Sequence, residues 1–131
     1  MQRSQSPLLL LALFLMIGCR HQTPSSQDAN SHVTPADFAA RLEAAETIQS
    51  VSEHDNALAD LAKDAAKAGD GSITKNAIDG IHISNLHDTA AAEASVLLAR
   101  GGKSADALAV AKSIRQRSLR DKTLATIAKG D

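Results

Sequence analysis

His54-Asp55-Asn56-Ala57-Leu58-Ala59-Asp60-Leu61-Ala62-Lys63-Asp64-Ala65-Ala66-Lys67-Ala68-Gly69 decides the fold, because the same pattern returns 33 residues later. There it reads His87-Asp88-Thr89-Ala90-Ala91-Ala92-Glu93-Ala94-Ser95-Val96-Leu97-Leu98-Ala99-Arg100-Gly101-Gly102. Leu58, Leu61, Ala62 and Ala65 fall at i, i+3, i+4 and i+7, the stripe of an amphipathic helix, and Ala91, Ala94, Ser95 and Leu98 repeat it. The same shift aligns Ile48 with Ile81 and Ile114, Ala59 with Ala92 and Ala125, Leu86 with Leu119, and Asp55 with Asp88 and Asp121. Self-similarity at a fixed period of this length is the signature of stacked supersecondary units.

Each unit reads as two helices. The first spans about 54–68 and stops at Gly69-Asp70-Gly71, residues that tolerate positive φ; the second spans about 72–83. The next unit predicts helices over 86–100 and 104–115, separated by Gly101-Gly102. An earlier helix over 35–49, with Pro35 suited to a first turn, takes the second-helix place of a preceding unit, and a helix over 119–129 opens a further one. The expected fold is all-α, a short right-handed α-solenoid of about six antiparallel helices at a period of 33. Residues 35–131 contain 23 alanines against 20 larger apolar side chains, so the helices must approach closely to bury a core. The pairs 54-55, 87-88 and 120-121, each His or Arg followed by Asp, are expected to serve as turn and capping chemistry, with Asp55, Asp88 and Asp121 near helix starts.

Gly102-Lys103-Ser104-Ala105-Asp106-Ala107-Leu108 resembles the turn and second-helix start of tetratricopeptide-type repeats, where a glycine closes the first helix and an alanine five residues later packs between helices. Thr74 replaces that alanine in the first unit, and the aromatic and proline positions of the consensus are absent. The resemblance implies a protein-binding scaffold with the first helix of every unit lining a concave groove. By position, the groove residues would be Asn56, Lys63, Lys67, Thr89, Val96, Arg100, Lys122 and Lys129, five of them basic, with Ala59, Ala66, Ala92, Ala99 and Ala125 leaving room for an extended peptide. An acidic peptide or terminal carboxylate is the expected ligand.

Upstream, Leu8 to Ile17 contains no polar side chain, follows a lone Arg3, and is about 15 Å long as a helix, half of a hydrocarbon core. That is the profile of a signal peptide. Leu15-Met16-Ile17-Gly18-Cys19 resembles the lipobox of bacterial lipoproteins, with Gly18 in the small position and Met16 where leucine is most common. The resemblance implies removal of residues 1–18 and attachment of diacylglycerol and palmitate to Cys19, the only cysteine. It also implies a cell-envelope location, lipid-anchored on the periplasmic or extracellular face. Arg20 in place of an aspartate favours an outer membrane where the cell has one. Residues 19–34, rich in Ser, Gln, Asn and His, have the composition of a flexible linker.

Without residues 1–18, which hold Arg3 alone of the charged residues, the chain carries 13 basic and 15 acidic side chains. That near-neutral balance offers no nucleic-acid footprint, and Phe38 as the sole remaining aromatic leaves nothing for bases to stack on. Charge is uneven along the chain: residues 28–93 carry 12 acidic and 4 basic side chains, residues 103–131 carry 7 basic and 3 acidic. The complementary ends suggest head-to-tail self-association. His21, His32, His54, His82 and His87 show no converging metal-ligand spacing, no phosphate loop follows a strand, and no nucleophile arrangement stands out. No cofactor, metal or catalytic residue is therefore expected. The sequence reading is a lipid-anchored envelope protein acting as a binding scaffold for an unidentified protein or peptide, the alternative being a structural, self-associating envelope lipoprotein.

Overall fold

The computed structural model describes residues 34–130. The lipobox residues Leu15, Met16, Ile17 and Gly18, the lipid acceptor Cys19 and most of the linker lie outside the described residues. The described chain is all-α, with six helices: α1 (Pro35–Glu46), α2 (Val51–Ala68), α3 (Gly71–Asp79), α4 (Ser84–Arg100), α5 (Ser104–Lys112) and α6 (Arg117–Lys129). Long first helices (α2, α4, α6) alternate with short second helices (α1, α3, α5), and successive hairpins stack as a short α-solenoid. No described helix is long and apolar enough to cross a membrane.

Local signals explain the ends of the helices. Thr34 and Asp37 form a reciprocal capping box ahead of α1, with Pro35 in its first turn. Gly69 closes α2 at φ 76°, and the Asp70 amide reaches back to the Ala65 carbonyl at 2.9 Å. Gly102 (φ 76°) and Lys103, which bonds the Leu98 carbonyl at 2.9 Å, repeat that turn one period later. Asp70 also caps α3, accepting the Ile73 amide at 3.0 Å.

The core is built as the composition demands. Leu58, Leu61, Ile78, Leu98, Val110 and Ile114 are its large members, and Ala62, Ala65, Ala66, Ala91, Ala94, Ala107 and Ala111 are each 0% exposed between helices. Phe38 tucks α1 onto the stack, with the Arg41 guanidinium 5.8 Å from its ring centre.

The helix limits differ from the sequence expectation in a consistent way. Second helices stop three or four residues early, at Glu46, Asp79 and Lys112, and first helices begin two or three early, at Val51, Ser84 and Arg117. Ile81 and Ile114 are buried from the turn itself, and the amides that follow them are drawn to side chains of the first helix of the same unit. An apolar residue in helical register extended the second helix on paper, whereas in the fold it anchors the turn.

Candidate functional site

Two places gather chemistry. The first surrounds Asp55, which lies in the second turn of α2 and is 0% exposed. The amides of His82 and Ile83 donate to its Oδ2 at 2.9 and 2.7 Å, while Nδ1 of His54 and Nδ1 of His82 donate to its Oδ1 at 2.9 and 3.1 Å. Asp88 repeats this one period on, accepting the Arg115 and Gln116 amides at 2.9 and 2.8 Å and Nδ1 of His87 at 3.0 Å. Asp55 and Asp88 thus serve turn and capping chemistry, but for the following first helix and not for the one they stand in. Each reaches across to secure the start of the next first helix, α4 or α6, whose own N-cap residues, Ile83 and Gln116, make no side-chain cap bond. The aspartate stands inside its helix, too late to reach the first amides there. Asp121, third in the series, is exposed.

Burial would raise the Asp55 carboxyl, but the His54 ring, the Ile83 amide and the ring and amide of His82 outweigh it and hold the group at about 2. Asp88 is lowered likewise: burial opposes, and the amides of Arg115 and Gln116 with His87 prevail.

His54, Asp55 and His82 bring three ligand-type atoms within 4.8 Å of one another. The sequence reading expects no converging histidines, because His82 stands 27 residues from Asp55 and no local pattern links them. The arrangement is that of donors satisfying a buried acceptor: both Nδ1 protons and two amides already point at the carboxylate, and Arg115, which cannot ligate a metal, stands in the place of His82 in the next unit.

The second place is a groove across α2, α4 and α6 with a cavity of about 490 Å³. Lys63, Lys67, Val96, Arg100 and Lys122 of the expected groove line it, joined by Ala92. Asn56, Thr89 and Lys129 do not, although Asn56, Thr89 and Lys129 are all exposed. Ala59 and Ala66 are corrected from groove floor to core, at 5% and 0% exposed, on a helix packed against α1, α3 and α4. Leu97, Leu119, Thr123 and Thr126 line the groove unforeseen; Leu97 stands where the preceding unit has Asp64, so the repeat register gave no sign of it.

The groove cations differ in availability. Lys63 bonds Glu93 at 2.8 Å, a contact that raises its pKa through hydrogen bond and charge together. Lys67 lies 3.8 Å from Asp64, which also holds Arg41 at 2.9 Å. Arg100 and Lys122 enter no ion pair among the described residues. The result is an apolar strip of Ala92, Val96, Leu97 and Leu119 with two uncommitted cations beside it. Compared with protein-family models, curated proteins and solved structures, the chain matches none.

Proposed function

We propose that this chain is a lipid-anchored envelope protein whose helical-repeat domain binds a peptide segment carrying one or two apolar side chains flanked by carboxylates. The observation that carries the reading is the groove in which Leu97 and Leu119 lie beside Arg100 and Lys122. Apolar side chains on the segment would cover the leucines, and its carboxylates would meet cations that enter no ion pair among the described residues. The binding reading and the anchor reading are separable. The anchor rests on the lipobox resemblance at Cys19 and is tested by fatty-acid labelling of cells making the native chain or Cys19→Ala; label on the native chain alone supports it.

Groove binding is tested with the full chain in detergent and a fluorescent peptide of alternating Leu and Glu. Arg100→Ala with Lys122→Ala is expected to weaken binding about thirtyfold, since each charge-assisted contact contributes about 1 kcal/mol at a partly exposed site. Lys63→Ala should change it less than twofold, its charge being already satisfied by Glu93. Equal losses from both variants, or no loss from the double one, would refute the assignment.

A further inference from the structure

We infer that this protein assembles head to tail, α6 of one copy docking against α1 and α2 of the next, so that the solenoid continues across the junction in its own register. The inference rests on the repeat geometry and the charge of the two ends, and requires neither the lipid anchor nor peptide binding in the groove.

Its first support is a recess of about 310 Å³ between α1 and α2, lined by Arg41, Ala44, Ile48, Ala57 and Asp60 among others. Moved on by one period these positions become Thr74, Ala77, Ile81, Ala90 and Glu93. The first four of those are at most 2% exposed, and α2 packs against α3 and α4 there, with Lys63 of α2 bound to Glu93 at 2.8 Å. The recess is thus the counterpart of the seat that α2 fills one unit later. A first-type helix fits it.

One period before α2 the sequence has no first-type helix pattern: residues 18–35 contain Pro24 and Pro35, and Ala29 and Val33 are their only apolar side chains beyond Cys19. At the other end, α6 is a first-type helix with an uncovered flank. Asp121 is exposed where Asp55 and Asp88 are 0% and 6% exposed, and Ala128 is exposed where Ala62 and Ser95 are both 0%. Leu124 is half-buried where Leu58 and Ala91 are buried.

Register then names the contacts. Asp55 takes the amides of residues 82 and 83, and Asp88 those of 115 and 116. Continued once more, Asp121 faces the amides of Gln49 and Ser50 in a second copy. Lys63 binds Glu93; continued twice, Lys129 stands opposite Asp60 of that copy. The wider fields agree. Residues 35–79 carry 9 acidic and 4 basic side chains, residues 104–129 carry 6 basic and 2 acidic. A joint of this kind is heterologous, so each copy presents both halves and the assembly extends as a row.

Cross-linking between single-cysteine chains tests the geometry. In full-length chains with Cys19→Ser, Asp60→Cys and Lys129→Cys are made separately, mixed and oxidised. Disulfide dimers should form in the mixture and in neither variant alone; dimers from one variant alone, or none in the mixture, overturn the proposal. Sedimentation of the otherwise native chain in detergent supplies a second reading, because Asp60 and Lys129 are exposed and their exchange leaves the fold intact. Asp60→Lys or Lys129→Asp should each weaken self-association about tenfold, and the two together should restore it. A monomer at all salt concentrations, or a double variant as weak as the single ones, also overturns it.

Discussion

Asp55→Ala should destabilise the protein far more than Asp121→Ala, although the two aspartates occupy the same position of the repeat. Asp55 is completely buried and receives four donors, two of them the amides at the start of α4. Losing a helix cap costs about 1 kcal/mol, and hydrogen bonds to a charged acceptor contribute about 1.5–3 kcal/mol. An independent route gives the same size: a carboxyl held at about 2 in place of 3.8 corresponds to about 2.5 kcal/mol of native-state stability at neutral pH. These figures describe overlapping interactions and do not add. Alanine's better helix propensity returns about 0.6 kcal/mol, and water reaches the exposed His82 segment, leaving a net loss of about 2–3 kcal/mol. For a domain of this size that lowers Tm by at least about 10 °C. Asp121, exposed, should change stability by less than about 0.5 kcal/mol on the same substitution in dilute monomer. Urea denaturation followed by far-ultraviolet circular dichroism measures both. Equal losses would refute the idea that the aspartates act between repeats.

The same carboxylates set an acid limit. Both native pKa values lie below the unfolded value, so their contribution is present above the unfolded value and is lost as pH falls through the native ones, for Asp55 at about 2; an acid titration of stability should lose the Asp55 part of that slope in Asp55→Asn and keep the Asp88 part. Gly80→Ala should cost about 1–3 kcal/mol, because a methyl there would lie 2.7 Å from Cδ1 of Leu58, and Leu58→Val in the same chain should recover part of it. Leu98→Ala, at a 0% exposed position, should cost about 3–5 kcal/mol in the same urea assay, against less than about 1 kcal/mol for exposed Leu108→Ala.

The helices were legible because the apolar stripe and the Gly69 and Gly102 stops are local signals, and the 33-residue register places every unit once one is read. What pairs across units was not. The tie between Asp55 and the amides of His82 and Ile83 spans 27 and 28 residues, and nothing in the local pattern distinguishes it from a cap within α2. The groove shows the same divide. Lys63, Lys67, Val96, Arg100 and Lys122 follow from helix face alone, whereas Ala59 and Ala66 are taken into the core by how closely the small residues of adjacent helices let them approach. Likewise the Lys63 to Glu93 contact, which engages one of the four groove cations, depends on where α4 settles against α2.

The aspartate ties all run in one direction. The start of α4 is fixed by a side chain from α2, and the start of α6 by one from α4, while α2 relies on its own Ser50. A ribosome delivers the chain in that order. α4 and α6 therefore each emerge to find the anchoring acid already made on an earlier helix. The stack is built to be completed from its N-terminal side, and truncation from the C-terminal end should leave shorter stacks whose remaining helix starts keep their partners.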